Sequence, residues 1–305
     1  MLLKMLPAFG RNTATLIGLS AVLFWSSNVG LIRSVCESFG AIGGVALIYT
    51  IAAIILFFTV GLPKLSTVPK AYLLWGSLLF VAYEVCFAIA IGYAQNGRQT
   101  IEVGMVNYLW PTFTMIFAIV FNRVQSNGLI IPGSLIALCG ICLVLAGDQG
   151  FAVQEMWQNV LKNPLSYGLA FIAAIIWAAY CSVTVKISFG KNVVTLFFML
   201  TAIVLWLKYL WMGQATIVFN ESNSLILLFA AGALGLGYGA WNIGILNGNM
   251  TLLAGASYFT PVLSAVFASI VLNTSLSLNF WYGVAMVTGG AILCWLATRQ
   301  KQQER

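Results

Sequence analysis

The 305 residues of this chain are 61% hydrophobic and only 7% charged, and their mean hydropathy is +0.97. This composition offers too little polar surface to cover a soluble globular protein, so it predicts a polytopic helical membrane protein. The net charge of +7 does not indicate nucleic-acid binding, because the lysines and arginines stand singly at the ends of apolar runs.

Apolar runs long enough to cross a bilayer recur along the whole chain, at about 20 residues for each crossing. The first run has full spanning length and lacks a small-x-small cleavage site, so we expect a signal anchor. Short connectors separate the runs, and the longest extends from Asp148 to Pro164. Ten spans are predicted, at residues 13–32, 41–61, 71–92, 101–121, 129–147, 165–187, 192–211, 224–246, 251–271 and 277–297.

Two of the predicted spans share a pattern at an offset of 150 residues. Residues 102–113 read EVGMVNYLWPTF and residues 252–263 read LLAGASYFTPVL, each with a tyrosine three residues before a proline. Pro111 and Pro261 are expected inside their helices, where they would kink the helix and release backbone carbonyls. Such kinks persist in membranes where protein or a water-filled cavity lies alongside, which makes both prolines candidates for a gating role.

The offset continues through the next apolar runs. It also pairs glycines, Gly133 with Gly283 and Gly140 with Gly290. An internal duplication in a membrane protein is typical of transporters, and a repeat of five spans, an odd number, must be inverted. We therefore predict an all-α integral membrane fold in which residues 1–150 and 151–305 form two inverted five-helix repeats around a central cavity.

The positive charges predict the orientation of the chain. With both termini in the cytoplasm, ten of the 14 lysines and arginines flank the spans on the cytoplasmic side. The other four are Arg33, Arg98, Lys162 and Lys208. This bias follows the positive-inside rule and favours cytoplasmic termini.

Polar and aromatic side chains near the middle of a span find no partner in lipid, so they indicate which helices face the protein interior. They occur in spans 1, 3, 4, 6, 8 and 9, which we expect to surround the central cavity. Spans 2, 5, 7 and 10 hold mainly aliphatic side chains and are expected to face lipid. The candidate substrate-binding residues are Trp25, Asn28, Tyr83, Glu84, Asn107, Trp110, Trp177, Tyr180, Tyr238, Asn242 and Tyr258.

The tryptophans fall into two groups. An interfacial position explains Trp157, Trp206, Trp211, Trp281 and Trp295. Trp25, Trp110 and Trp177 lie deeper, where cavity lining and plain core packing both fit. An aromatic-lined cavity favours a flat ligand, because each stacked ring pair adds about 0.5–1.5 kcal/mol and a cation over a ring up to about 2 kcal/mol.

Two carboxylates need separate explanations. Glu84 stands in the middle of span 3, where a charge costs about 2.5–3.5 kcal/mol even on lenient insertion scales. It is expected to receive a substrate ammonium or to exchange a proton, the alternative being a protonated side chain bonded to a neighbouring helix. Glu102, near the start of span 4, fits a simple role at a helix N-terminus, where the helix dipole favours an acid.

Enzymatic chemistry finds no support in the sequence. The chain has no histidine, no phosphate-binding loop and no metal-ligand spacing. Its cysteines lie in apolar runs, apart from Cys36 in a predicted connector, and suggest no disulfide framework. We expect neither a metal nor a cofactor. A pore or a binding protein stays open as an alternative to a carrier.

Five segments carry a resemblance to a known family. They are FVAYEVCFAIAIGYA (80–94), IEVGMVNYLWP (101–111), PLSYGLAFIAAIIWAAYCSVT (164–184), AWNIGILNGN (240–249) and SYFTPVLSA (257–265). Together they resemble the aromatic amino acid exporters of the YddG type, in the drug/metabolite transporter (EamA) superfamily. The likeness extends nearly from end to end, and IEVGMVNYLWP is specific to that type.

The resemblance implies a ten-helix carrier in the bacterial inner membrane, with both ends cytoplasmic, that exports phenylalanine, tyrosine and tryptophan and some flat toxic compounds. Trp110 and Trp177 stand in the matching motifs, and Tyr83 is their expected companion around the substrate ring. The expected partners are this substrate and the lipid bilayer, with no nucleic acid. The resemblance leaves open the preferred substrate, proton coupling and the oligomeric state.

The zwitterionic end of the substrate needs polar partners. Asn28, Asn107, Asn242 and Glu84 are the candidates. A second interpretation within transport is a proton-coupled cation or drug antiporter that uses Glu84 as the proton-exchanging acid.

Overall fold

The computed structural model describes residues 10–147, 153–213 and 217–299. Regular secondary structure in these ranges is helical, with no strand, which confirms the all-α class for the described part. A short 3₁₀ turn occupies Leu65–Thr67. The helices are α1 Arg11–Phe39, α2 Ala41–Thr59, α3 Lys70–Gly92, α4 Gly97–Asn107, α5 Trp110–Asn122, α6 Ile130–Ala146, α7 Val153–Lys162, α8 Pro164–Ile187, α9 Val194–Trp211, α10 Glu221–Asn247, α11 Met250–Ser257, α12 Thr260–Val271 and α13 Leu278–Arg299.

Eight helical segments among the described residues are long and apolar enough to cross a bilayer. They comprise α1, α2, α3, α4 with α5, α8, α9, α10 and α13. The two other predicted crossings correspond to shorter apolar helices, α6 with 17 residues and α12 with 12 residues. At 1.5 Å per residue α6 is about 26 Å long, close to the thickness of the hydrocarbon core. The short α12 directly follows α11 in the chain.

Two elements differ from the predicted boundaries. Helix α1 continues to Phe39, so Cys36 lies in a helix and is buried, rather than in a connector as expected. The helix ends at Gly40, whose φ of 80° is a left-handed conformation that glycine adopts without steric cost. The long connector contains α7, an additional amphipathic helix. Asp148, where this connector was predicted to begin, and the terminal cations Lys4, Lys301 and Arg305 lie outside the described residues.

Predicted spans 4 and 9 are each divided into two helices. Residues 108–109 separate α4 from α5, and residues 258–259 separate α11 from α12. Pro111 and Pro261 each occupy the second position of the new helix. The expectation that they lie inside continuous helices is therefore wrong. Each proline starts a helix, where its missing N–H has no intrahelical partner to lose.

The two interruptions have the same backbone pattern. In the first, the N–H of Leu109 donates to the carbonyl of Val106 at 3.2 Å. In the second, the N–H of Phe259 donates to the carbonyl of Ala256 at 3.1 Å. These bonds link residues three apart, as in a 3₁₀ turn, so the helix tightens at both places.

Asparagine starts four of the helices. These N-cap residues are Asn96, Asn163, Asn220 and Asn249. The side chain of each accepts a hydrogen bond from the backbone N–H of the residue three positions later. Such a cap satisfies one of the N–H groups that a helix leaves unpaired, and loss of a cap typically costs about 1 kcal/mol.

The chain divides into two compact units. Unit 1 comprises Met1–Val68 and Gly190–Leu272, and unit 2 comprises Pro69–Phe189 and Asn273–Arg305. Helices α1, α2 and α9 to α12 therefore belong to unit 1, and α3 to α8 with α13 belong to unit 2. Each unit draws helices from both predicted repeats.

In unit 2, α6 and α13 approach closely at glycines. A Cβ placed on Gly140 would lie 2.7 Å from the carbonyl oxygen of Gly283, and one placed on Gly133 would lie 3.0 Å from that of Gly290. The two glycine pairs run in opposite chain directions, so α6 and α13 pack antiparallel. Small residues at such a crossing let the helix backbones approach, which is a main source of helix association in membranes.

In unit 1, glycine has the same role between α1 and α10. A Cβ on Gly18 would lie 2.8 Å from the Cα of Gly244. Further along the two helices, a Cβ on Gly237 would lie 3.0 Å from Nε1 of Trp25. The absence of a side chain at position 237 therefore makes room for the indole of Trp25.

The division into lining and lipid-facing helices is incomplete. Exposed apolar side chains occur on α2, α6 and α9, as predicted, but α3 also exposes Leu74, Trp75 and Leu78. Helix α3 buries Phe80 and Tyr83. A helix at the periphery of a bundle presents one face inward and the other outward, so assignment of whole helices to one class was too coarse.

Candidate functional site

Aromatic side chains of α3, α5 and α8 form a cluster in unit 2, here named the Trp177 cluster. Its members are Phe80, Tyr83, Trp110, Trp177 and Tyr180. The ring centroid of Trp177 lies 4.5 Å from that of Tyr83 and 5.0 Å from that of Tyr180. Trp110 meets Trp177 edge to face at 6.3 Å. Four predicted site residues, Tyr83, Trp110, Trp177 and Tyr180, are thus brought together.

Helical spacing explains how the cluster forms. Trp177 and Tyr180 are three residues apart on α8, and Phe80 and Tyr83 have the same spacing on α3, so each pair faces one direction. The hydroxyl of Tyr180 lies 3.4 Å from that of Tyr72 on α3. The two helices therefore pack through a continuous aromatic seam.

The cluster is partly accessible. Tyr83 is buried, whereas Trp110, Trp177 and Tyr180 are half-buried and keep part of their ring surface exposed. Aromatic rings in such an arrangement offer faces and edges to another planar group at favourable geometry.

A buried amide lies next to the cluster. Asn107, the last residue of α4, is 2% exposed. Its Nδ2 donates to the hydroxyl of Tyr83 at 3.5 Å, and its Oδ1 is buried without a hydrogen-bond partner among the described residues. An unpaired buried acceptor costs about 1–3 kcal/mol. Glu84, adjacent to Tyr83 on α3, is also buried.

Unit 1 contains a second aromatic group, here named the Trp25 cluster. It consists of Trp25, Phe198, Tyr238 and Trp241. Trp25 meets Tyr238 edge to face at 5.3 Å and Trp241 at 5.0 Å. Within the described ranges, Nε1 of Trp25 is buried without a hydrogen-bond partner, and so is Oδ1 of Asn28, one turn further along α1.

Two other predicted residues belong to unit 1. Asn242 follows Trp241 on α10 and is half-buried. Tyr258 is buried in the interruption between α11 and α12. The predicted site residues are therefore distributed over both units, with the Trp177 cluster, Asn107 and Glu84 in unit 2 and the remainder in unit 1.

No group of three or more histidine, cysteine, aspartate or glutamate side chains in the described part of the chain is arranged to hold a metal ion. All six cysteines are free. The chemistry available at the clusters is aromatic contact and hydrogen bonding.

Known proteins are similar in sequence to this chain over nearly its whole length. A model of the EamA-like transporter family matches residues 164–296. The "Aromatic amino acid exporter YddG" of Escherichia coli strain K12 is 53% identical over 95% of this chain and 99% of its own length. The protein of the same name from Salmonella typhimurium is 52% identical over 94% of this chain and 98% of its own. This chain belongs to the EamA-like transporter family.

A more distant exporter and a solved structure support the same assignment. The "Aromatic amino acid exporter YddG" of Ancylobacter novellus is 26% identical over 95% of this chain and 99% of its own. A crystal structure that is 25% identical aligns over 95% of this EamA-like transporter and 99% of that chain, with a TM-score of 0.65. The fold is thus shared well beyond the range of close sequence similarity.

This EamA-like transporter also has a polar network that the sequence analysis missed. Glu102 is buried and accepts hydrogen bonds from the Tyr167 hydroxyl at 2.5 Å and from Nε of Arg98 at 3.2 Å. The residue that caps α4 is Asn96, so the expected role of Glu102 at the helix N-terminus is corrected. One feature of the sequence could have indicated this contact, because Glu102 and Tyr167 both lie in the first turn of a predicted span.

Trp206 makes an interhelical contact that the sequence pattern did not predict. Its Nε1 donates to Oγ1 of Thr50 on α2 at 2.9 Å. The side chain therefore links two helices of unit 1. A tryptophan N–H inside an apolar span needs such a partner, because lipid offers none.

Proposed function

We propose that this protein exports aromatic amino acids across the bacterial inner membrane by alternating access, without covalent chemistry. The observation that carries the proposal is the Trp177 cluster, in which Trp110, Trp177 and Tyr180 are half-buried, because partly accessible rings at this geometry suit a planar substrate side chain. Relatives named as aromatic amino acid exporters, 52–53% identical over nearly the whole chain, support the same substrate class.

The proposed architecture is ten spans in two inverted repeats, residues 1–150 and 151–305. It is supported by the matched interruptions at 108–109 and 258–259, which lie 150 residues apart. The glycine contacts between α6 and α13 support it further, because each joins a glycine of one repeat to a glycine of the other. Inverted repeats are the usual basis of alternating access in secondary transporters.

In the proposed binding mode, Trp110, Trp177 and Tyr83 enclose the substrate ring, with Tyr180 beside them. The unpaired Oδ1 of Asn107 accepts a hydrogen bond from the substrate ammonium. This bond would pair the buried acceptor. The free energy of binding would therefore become more favourable by the cost that the unpaired acceptor has in the empty protein. The predicted residues of unit 1, Trp25, Asn28, Tyr238, Asn242 and Tyr258, form a second proposed contact set.

Release of labelled phenylalanine or tryptophan from liposomes that contain the purified protein tests the proposal. Trp177→Ala and Trp110→Ala should slow release while the protein still elutes as a folded species. Each lost ring pair corresponds to about a 2- to 12-fold loss of apparent affinity. Trp211→Ala is the matched control, because Trp211 is 88% exposed. Unchanged release by both cluster variants would contradict the binding mode.

A second candidate function is proton-coupled export of cations or drugs. It is favoured by one observation, the burial of Glu84 at 3% exposure in the apolar helix α3. Under this alternative, Glu84→Gln abolishes transport together with its response to a pH gradient. If Glu84→Gln transports normally at every pH, the glutamate is structural and the alternative is excluded.

A further inference from the structure

A groove of about 490 Å³ on unit 1 lies between α2 and α9. Apolar side chains dominate its lining, among them Ile54, Phe57, Phe58, Met199 and Ile203. All five are exposed, by 39–57%. The volume is within the range of small-molecule sites, and the lining suits a hydrocarbon.

The polar groups in the lining are already satisfied. Thr50 donates to the carbonyl of Ala46 at 2.7 Å and accepts from Nε1 of Trp206 at 2.9 Å. The groove therefore presents no unmet donor or acceptor on these side chains. A polar ligand would gain little there, whereas an alkyl chain would lose no hydrogen bond.

The two helices run antiparallel along the groove. The hydrogen bond between Thr50 and Trp206 marks one end of the lining. From there the lining residues on α2 increase in residue number to Phe58, whereas those on α9 decrease to Met199. The end of α2 at Thr59 and the start of α9 at Val194 therefore lie at the same end of the groove.

Positive charge flanks that end. Lys64 follows α2 by five residues and Lys191 precedes α9 by three, and both side chains are exposed. Neither connector, residues 60–69 or 188–193, contains an aspartate or glutamate. An apolar groove with cations at one end is complementary to an anionic phospholipid. The acyl chain of such a lipid lies in the membrane and its phosphate lies at the surface.

We propose that this groove is a binding site for one anionic phospholipid. An acyl chain lies between Ile54, Phe57 and Phe58 of α2 and Met199 and Ile203 of α9. Lys64 and Lys191 bind the headgroup phosphate. Basic side chains near the membrane surface attract anionic headgroups, and here the concave groove adds a fixed site for the chain. This inference does not depend on the transported substrate.

Native mass spectrometry of the purified full chain tests the site, with phosphatidylglycerol and phosphatidylcholine of identical acyl chains added in titration. Phosphatidylglycerol should remain bound in preference to phosphatidylcholine. The double variant Lys64→Gln, Lys191→Gln should reduce that preference by up to about 30-fold. Lys208→Gln removes one charge elsewhere on α9 and should leave the preference unchanged.

A second pair of variants tests the groove itself. Ile203→Trp fills the groove and should lower the binding of both lipids. Leu207→Trp is the matched control, because Leu207 is 62% exposed on the same helix but does not line the groove. Lipid binding unaffected by Ile203→Trp would overturn the proposal.

Two other occupants give distinct results. Glycerophosphoglycerol carries the headgroup without acyl chains and should not displace the lipid at equal concentration. If it does displace the lipid, the site binds only the phosphate, and the proposal is overturned. A dimer that Ile203→Trp dissociates, with lipid binding unchanged, would assign the groove to a second copy of the chain and would also overturn it.

Discussion

At the residue scale, a buried polar atom without a hydrogen-bond partner supports one of the proposed substrate contacts. Asn107 contributes such an atom, Oδ1, beside the Trp177 cluster. Asn107→Leu removes the unpaired acceptor and also the 3.5 Å hydrogen bond to the Tyr83 hydroxyl, two opposing effects, so we expect thermal stability to change little. Export of phenylalanine should fall by about 10- to 150-fold, which is the value of a hydrogen bond to a charged group. Vesicle release and thermal unfolding of the same sample provide the two measurements.

Stability and transport, measured together, separate a substrate-binding role of Asn107 from a structural role. A residue that only packs should lose stability and transport together when it is replaced. Normal transport by Asn107→Leu would remove Asn107 from the substrate site. Loss of both properties would make it a structural residue.

Glu102 differs from Asn107, because both of its buried carboxylate oxygens have hydrogen-bond partners. Tyr167→Phe removes the 2.5 Å hydrogen bond and leaves a buried carboxylate with Arg98 alone. We expect a loss of about 1.5–3 kcal/mol in the free energy of unfolding, the value of hydrogen bonds to charged groups. Tyr282→Phe is the control, since Tyr282 is 57% exposed on α13. Equal stability of the two variants in thermal unfolding would show that the bond contributes nothing.

At the element scale, the crossing of α6 and α13 depends on the absence of side chains. Gly140→Ala places a Cβ 2.7 Å from the Gly283 carbonyl oxygen, so the helices must separate. Overpacking of this kind costs about 1–3 kcal/mol. Gly289→Ala, on the same helix pair, meets nothing within 4 Å and should gain stability through helix propensity. Thermal unfolding in detergent should therefore move in opposite directions for the two variants, and a common direction would contradict the close crossing.

The elements that were predictable are those fixed by local pattern. Hydropathy and length predicted the eight membrane-length helical segments found in the described residues, and the offset of 150 residues gave the matched positions of Pro111 and Pro261. The pattern did not show that the helix stops before each proline, because a helix end depends on a few backbone hydrogen bonds. It also missed the continuation of α1 to Phe39, since apolar length marks the membrane segment and not the end of the helix.

The candidate site was predictable in part for the same reason. Their mid-depth positions marked Trp110, Trp177 and Tyr83 as inward-facing, and the family resemblance placed them around one substrate ring. The structure brings their rings together. The bonds from Tyr167 to Glu102 and from Trp206 to Thr50 join residues 65 and 156 positions apart. Periodicity carries no information about such pairs, which depend on the packing of whole helices.

At the scale of the whole molecule, each unit contains helices from both proposed repeats. Unit 1 holds α1 and α2 with α9 to α12, and unit 2 holds α3 to α8 with α13. A split between the repeats at residue 150 would therefore cut neither unit free, since the core of each needs helices from both. The proposed repeat concerns the symmetry of the sequence, whereas the units describe how the helices pack.

The distribution of charge over the whole chain predicts how it crosses the membrane. Both termini are expected in the cytoplasm, which places α7 outside and the connector at 60–69 inside. Gln158 and Ser66 are exposed positions in these two segments. A membrane-impermeant maleimide should label Gln158→Cys in intact cells and Ser66→Cys only after the membrane is opened. The unsubstituted chain, with its six native cysteines, sets the background. The reverse labelling pattern would invert the orientation and would exchange the membrane faces at which Lys64 and Lys191 are expected to meet lipid headgroups.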